Sequence, residues 1–365
     1  MDLITRKKTR TARVGQVKIG SDAPVVIQSM TNSKTSDTAA TLEQINSLYQ
    51  AGCELVRLAV PDKDAARSFS KIAAKSPLPL VADIHFDAEL ALQALEGGAQ
   101  KVRINPGNIG GRDKMLAVAG KARELGAAIR IGVNAGSLER KLLKKHGGAT
   151  AAALTESALG YLEPLEKEGF TNLVVSLKAS DVYTTIKAYR LFSEAKDYPL
   201  HLGVTGAGPY ETGLIKGALG IGALLADGIG DTIRVSLTAP PVEEVRVARR
   251  ILQVLGLRQF TPELISCPTC GRCEIDLVYL AGEVDKILQD YSLPVKVAVM
   301  GCAVNGPGEA READLGVTAG KKQGLLFSHG KVIRTVEFDR LFEALKEELD
   351  KLEFRFNRAG GKEEG

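Results

Sequence analysis

Residues 128–134 read Ala128-Ile-Arg-Ile-Gly-Val-Asn134. The run is rich in β-branched side chains, too short for a helix, and preceded by a Gly126 turn signal. It predicts a strand over Ala128–Val133 that is buried on both faces in a parallel sheet. Seven further runs read the same way: Pro24–Ser29, Leu55–Ala59, Leu80–Asp83, Lys101–Asn105, Leu173–Leu177, Leu200–Val204 and Thr232–Val235. Amphipathic patterns fill the gaps. The first starts at a capping Asp37 and reaches about Ala51. The others cover Asp62–Ala74, Phe86–Glu96, Arg112–Leu125, Ala152–Glu168, Asp181–Glu194, Tyr210–Ala226 and Pro241–Leu255. Gly52, Gly126, Gly169 and Gly256 stand where helices should end.

Strand–helix units repeated eight times over about 255 residues match the size of an α/β (β/α)8 TIM barrel. A doubly wound open sheet is the alternative. No repeated motif suggests a solenoid. After Leu257 the alternation breaks, so residues 1–257 are expected to form the barrel and 258–365 a smaller α+β domain. In that domain we expect helices near Ile275–Asp290 and Glu337–Leu352, an apolar run Val295–Val299, and a frayed polar tail Asn357–Gly365.

Hydrophobic residues make up 44% and charged residues 25% of the 365, as in a globular protein that can bury a core. With 5% aromatics and no Trp, that core must be aliphatic. The net charge of +4 is too small for a general nucleic-acid binder. The basic N-terminus lacks the apolar stretch of a secretory signal. No run approaches the ~18 apolar residues of a membrane span. The expectation is a cytoplasmic protein without nucleic-acid or membrane partners.

In such a barrel, chemistry gathers where strands hand over to helices. Those positions carry Arg57, Asp83, His85, Arg103, Asn105, Arg130, Asn134, Ser176, Lys178, Ser180, Thr205, Arg234 and Ser236. Arg grips phosphate or carboxylate oxygens in pairs, and glycine-rich loops let backbone N–H groups join in. The implied ligand is a small polyanion, most simply a phosphate or diphosphate ester. Asp83 and His85 read as a general acid–base pair. The plainer reading is that Asp83 ties down an arginine and His85 is a hydrogen-bonded core residue.

The cysteines are Cys53, Cys267, Cys270, Cys273 and Cys302. Cys53 precedes a buried strand and reads as core. The stretch Ser266-Cys267-Pro-Thr-Cys270-Gly-Arg-Cys273, with Gly301-Cys302-Ala-Val-Asn305-Gly-Pro-Gly-Glu309 further on, fits zinc or an iron–sulfur cluster. The fourth ligand is Cys273 or Glu309. A carboxylate is a hard donor on iron otherwise held by sulfur. It would leave one iron open to substrate.

Several motifs together resemble one enzyme family. They are Asp-Ile-His-Phe at 83–86, Val-Arg-Ile-Asn-Pro-Gly-Asn-Ile-Gly at 102–110, Arg-Ile-Gly-Val-Asn at 130–134, His-Leu-Gly-Val-Thr at 201–205 and Gly-Ile-Gly-Asp-Thr-Ile-Arg-Val-Ser-Leu at 228–237. Ser-Cys-Pro-Thr-Cys-Gly-Arg at 266–272 and Gly-Cys-Ala-Val-Asn-Gly-Pro-Gly-Glu-Ala at 301–310 complete the set. The chain resembles bacterial 4-hydroxy-3-methylbut-2-enyl diphosphate synthase, of the non-mevalonate isoprenoid pathway, over nearly its whole length. The resemblance implies a TIM barrel followed by a [4Fe-4S] cluster domain in a homodimer. It implies reductive ring opening of 2-C-methyl-D-erythritol 2,4-cyclodiphosphate with electrons from reduced flavodoxin or ferredoxin. It places the cluster ligands on Cys267, Cys270, Cys302 and Glu309, with Glu309 catalytic, and leaves Cys273 outside. It places diphosphate binding on Arg57, His85, Arg103, Asn105, Arg130, Asn134, Lys178, Arg234 and Ser236. One position departs. Where the family carries an active-site Glu after Gly-Val-Thr, this chain has Gly206. Either Glu211 takes its place or the chain is an impaired variant.

Two expectations concern assembly and the competing function. The eighth helix runs toward the barrel's bottom face, and a linker over 256–266 spans at most ~36 Å. A domain starting there cannot easily cap its own barrel mouth, which argues for a head-to-tail dimer. The alternative function is a sugar-phosphate lyase or aldolase with a structural zinc tail and Lys178 as its Schiff-base residue.

Overall fold

A computed structural model describes residues 4–105, 109–206, 208–271, 273, 275–301, 311, 313–319 and 323–360, the last two without their side chains. By its internal contacts the chain divides into two units, Met1–Arg258 and Gln259–Gly365.

The first unit opens with a hairpin that the sequence pattern did not predict, β1 (Ala12–Val14) and β2 (Val17–Ile19). Ala12, Val14 and Ile19 cover Val26, Leu55, Val81, Ala128 and Val174, and so close the floor of the barrel. Burying each larger aliphatic side chain there contributes about 1.5–3 kcal/mol.

The barrel strands are β3 (Val26–Met30), β4 (Leu55–Ala59), β5 (Leu80–Ile84), β6 (Lys101–Ile104), β7 (Ala128–Asn134), β8 (Leu173–Lys178), β9 (His201–Leu202) and β10 (Thr232–Ile233). Their order is β8-β7-β6-β5-β4-β3-β10-β9, all parallel. A bridge from Val175 to Leu200 brings the two end strands together. The result is a nearly closed TIM barrel, and the open-sheet alternative is set aside.

Asp37, Asp62, Asp87, Thr150 and Asp181 cap the following helices by accepting from N–H groups of the first turn. Gly52, Gly126, Gly169 and Gly256 take positive φ just past the ends of helices Thr38–Gln50, Arg112–Glu124, Ala151–Lys167 and Pro241–Val254. Two details correct the sequence reading. The helix expected from Phe86 starts at Ala88, because Phe86 has φ +66° and Asp87 is the cap. A short helix, Arg140–His146, follows β7 unannounced.

The second unit is a five-stranded mixed sheet with helices on it. Its strands are β11 (Glu263–Ser266), β12 (Lys296–Met300), β13 (Leu315–Ala319), β14 (Gln323–Ser328) and β15 (Lys331–Glu337). The first three run parallel, and the last three form an antiparallel ladder. Helices Leu277–Leu288 and Leu341–Gly360 bury Leu280, Val284, Leu341 and Leu345 against Val297, Val299, Val317 and Leu326. The helix predicted from Glu337 begins at Leu341, because Glu337 still belongs to β15. It also runs through Gly360, so Asn357–Gly360 are helical where a frayed tail was expected.

Candidate functional site

Residues two apart on a strand share a face. On β4 to β8 this aligns Arg57, Asp83, Arg103, Arg130 and Lys178 toward the barrel axis. Asp83 is their hub, at 7% exposure. Arg103 Nη1 donates to Asp83 Oδ1 at 3.1 Å, and Arg57 Nε lies 3.8 Å from Oδ2. His85 Nε2 lies 3.6 Å from Asp83 Oδ2 and 2.8 Å from Arg103 Nη1. Burial pushes the Asp83 carboxyl up, but Arg57, the bond to His85, Arg103 and Arg130 outweigh it and hold the group well below the usual carboxylate range.

Arg103 is fixed further. Its Nη2 donates to the Gly132 carbonyl at 3.3 Å and, with the Asn134 amide turned, to Asn134 at 2.8 Å. A Cβ on Gly132 would sit 2.4 Å from Arg103 Nε, so only glycine lets the guanidinium pass here. Arg57 donates to Met30 Sδ at 2.9 and 3.1 Å, and burial pulls it down to about 10. Asn105 Nδ2 donates to Ser137 Oγ at 2.7 Å. Ser137 is a neighbour that the sequence reading did not single out.

Arg234 is held by a residue that reading missed entirely. Glu244 accepts Arg234 Nε at 3.0 Å and Nη2 at 2.8 Å, and also Ser29 Oγ at 2.9 Å. Glu244 is buried on the core stripe of helix Pro241–Val254, beside Pro241, Val245 and Ala248. A charged residue inside an apolar stripe was the signal available. Ser236 is half-buried, and Ser180 is exposed after β8.

Phe86 stands at the mouth, 71% exposed, in a turn closed by Asp87 N donating to the His85 carbonyl at 2.8 Å. An aromatic residue at positive φ stores strain, as residues beside functional sites often do. Gly206 also has positive φ, +59°, and a Cβ there would meet only Ser180 Cβ, at 3.7 Å. Glu211 is exposed in the first turn of helix Tyr210–Ala226.

In the second unit Cys267 N donates to the Val299 carbonyl at 3.1 Å, which carries the β11–β12 pairing to the cysteine motif. Cys270 is exposed and Cys267 half-buried, both as free thiols. Cys273 lies against Gly301, where a Cβ would fall 2.7 Å from its Sγ. Its thiol donates to the Ile275 carbonyl at 3.3 Å. The fold therefore brings the 267–273 segment beside the chain that enters Cys302. Cys302, Asn305 and Glu309 lie outside the described residues. Cys53 is buried, and burial pushes its thiol up to about 12.

The comparisons with known proteins cover both units. A model of the GcpE TIM-barrel domain matches residues 9–249, and one of the GcpE protein C-terminal domain matches 263–351. A Geobacillus kaustophilus protein named 4-hydroxy-3-methylbut-2-en-1-yl diphosphate synthase (flavodoxin) is 54% identical over 96% of this chain and 94% of its own length. A Geobacter sulfurreducens protein of the same name is 55% identical over 95% of this chain and 98% of its own. Among solved structures, Yersinia pestis dihydropteroate synthase gives a TM-score of 0.48 at 10% identity, over 67% of this chain and 98% of that one, too distant to argue from. No helix among the described residues is long and apolar enough to cross a membrane. With both units matched and more than half of the aligned residues identical, the chain belongs to the GcpE family, whose curated relatives are named 4-hydroxy-3-methylbut-2-en-1-yl diphosphate synthases.

Proposed function

We propose that this chain reductively opens and dehydroxylates 2-C-methyl-D-erythritol 2,4-cyclodiphosphate to (E)-4-hydroxy-3-methylbut-2-enyl diphosphate, with flavodoxin as electron donor. The observation that carries this reading is the 54% identity over 96% of the chain to relatives named for that synthase and for flavodoxin. Ferredoxin is kept as a second donor of the same kind. Because one family accounts for both units, the zinc-tailed lyase reading is not favoured.

In this reading Arg57, Arg103, Arg130, Lys178 and Arg234, with His85, Asn105, Asn134, Ser180 and Ser236, bind the diphosphate. Asp83 and Glu244 hold Arg57, Arg103 and Arg234 in place before the ligand arrives, so little reorganisation is needed on binding. An ionised Asp83 cannot donate a proton. His85, half-exposed at the mouth, is the member of the pair that can reach a bound ligand. Asp83 then acts by orienting Arg103 and His85.

Cys267 and Cys270 are free thiols on a loop beside the chain that leads to Cys302, and this soft donor set fits iron and sulfide. With Cys302 and Glu309 they would hold a [4Fe-4S] cluster. When bound, that cluster supplies the electrons for carbon–oxygen cleavage. The head-to-tail homodimer rests on the linker argument, and sedimentation of the active chain as a monomer would overturn it.

Arg130→Met tests the binding role. It removes a buried cation whose Nε and Nη1 have no partner among the described residues. Affinity for the cyclodiphosphate should fall about 10–100-fold, the worth of one charge-assisted hydrogen bond. The ligand-free protein should become more stable. Unchanged affinity rejects the assignment, and failure to turn over the cyclodiphosphate with reduced flavodoxin rejects the function.

A further inference from the structure

The barrel holds a buried lysine that the diphosphate reading does not use. Lys101 stands on β6 two residues before Arg103, on the same inward face. Its register partners are Val81 on β5 and Ala128 on β7. Both belong to the apolar floor under the β1–β2 hairpin. Lys101 is 0% exposed, and among the described residues its Nζ has no hydrogen-bond partner. Around this level Arg130 Nε and Nη1, His201 Nε2 and both amide atoms of Gln28 are unpartnered too.

Arg130 and Arg57 act most directly on Lys101, and it in turn acts on His201. The inward face of β3 adds only the neutral Gln28 and Met30, and the remaining titratable groups stand higher in the barrel. Strand by strand, the titratable groups are Arg57 on β4, Asp83 and then His85 on β5, Arg103 on β6, Arg130 on β7, Lys178 on β8 and His201 on β9, with Arg234 and its partner Glu244 beyond β10. Asp83 is engaged by Arg57, His85 and Arg103, and Glu244 by Arg234. Among the described residues no carboxylate pairs with Lys101. Burial, followed by Arg130 and Arg57, pulls its ammonium far below the usual lysine range. Arginine keeps its charge in proteins, so relief at this level must come from a lysine or histidine.

We propose that Lys101 is uncharged in the ligand-free barrel and takes a proton from solvent when a diphosphate settles on Arg130. This rests on the diphosphate reading of the site. The ligand's two negative charges offset the surrounding arginines, and the ammonium then becomes tolerable. Substrate capture and proton uptake are one event, and Lys101 is a positioning residue that tunes the field beneath the diphosphate without touching it.

The substrate's chemistry makes this measurable. In a cyclic diphosphate each phosphorus carries one acidic oxygen, so the ligand lacks the phosphate monoester step near pH 6. Protons taken up on binding therefore report the protein. The experiment is calorimetric titration of the full chain with the cyclodiphosphate at about pH 8, in two buffers of different ionisation enthalpy. Wild type should take up protons, and Lys101→Met should take up about one fewer. Lys178 and His201 can also contribute, and the difference between the two proteins isolates Lys101. Wild-type affinity should weaken as pH rises, and Lys101→Met should flatten that slope by up to about tenfold per pH unit. Methionine replaces a buried amine whose Nζ finds no partner among the described residues, so the ligand-free variant should melt higher. Lys101→Leu is the second variant and should behave alike. Binding with no uptake in wild type, or equal uptake in wild type and variant, overturns the proposal while the diphosphate reading stands. Absence of binding rejects that reading itself.

Discussion

Arg234 and Glu244 meet edge to edge, with Nε 3.0 Å from Oε2 and Nη2 2.8 Å from Oε1. Glu244 is 3% exposed and holds Ser29 as well. One helical carboxylate thus fixes the arginine of the last barrel strand and ties it to the first. Removing one partner of a buried pair leaves an uncompensated charge, which costs more than the pair contributes. Glu244→Ala should destabilise the barrel by about 3–5 kcal/mol, with Glu244→Gln losing less. Denaturant unfolding of the two variants measures both; equal stability of Glu244→Ala and wild type would remove this role.

Asp83 gives the barrel a predictable acid response. Its carboxyl is held below the unfolded value of 3.8 by Arg57, His85, Arg103 and Arg130 despite burial. A depressed carboxyl contributes stability that is fully present above the unfolded value and is lost as pH falls through the folded one. Asp83→Asn should therefore be less stable at neutral pH and show a shallower decline below about pH 4. Unfolding free energies measured from neutral to acid pH check the slope. Parallel curves for variant and wild type would contradict it.

Gly206 tests the missing acid. There is room for a side chain, but the backbone sits at φ +59°. Gly206→Glu should cost about 1–2 kcal/mol of stability through left-handed strain. It should raise turnover of the cyclodiphosphate, because it places a carboxyl near the mouth. A stable variant with unchanged turnover sinks the impaired-variant reading and leaves Glu211 as the residue to test.

Cys273 and Cys267 should part company. The Cys273 thiol is turned into the fold, bonded to the Ile275 carbonyl and pressed against Gly301. Cys273→Ala should retain iron and sulfide after anaerobic reconstitution, whereas Cys267→Ala and Cys270→Ala should lose them. Iron content and visible absorption decide. Loss of iron in Cys273→Ala would make it the fourth ligand in place of Glu309.

Much of the barrel was legible because buried parallel strands are short continuous apolar runs, as at Ala128–Asn134 and Leu173–Lys178. The β13–β15 ladder was not. Its outer strand Lys331–Glu337 is mostly exposed, and Val332, Ile333 and Val336 are broken up by Arg334 and Thr335 rather than forming the continuous run that marks a buried barrel strand. The β1–β2 hairpin has three-residue strands, below any useful periodicity. Arg57, Asp83, Arg103, Arg130 and Lys178 were legible as strand-end polar residues. Lys101 and Glu244 were not, because each is a charged residue inside an apolar pattern, and only the fold shows that Glu244 meets Arg234 and Ser29 while Lys101 meets no carboxylate among the described residues.

The strand–helix alternation, the cationic strand ends and the cysteine spacing are local patterns of residue type, and each can be read along the chain. Which charges neutralise one another follows from the folded arrangement alone. Asp83 serves Arg103 across 20 residues, and Arg234 is taken by Glu244. Lys101 is left beneath them with no counter-charge among the described residues. Electrostatic pairing depends on distance and burial in space, and neither is written in the order of the chain.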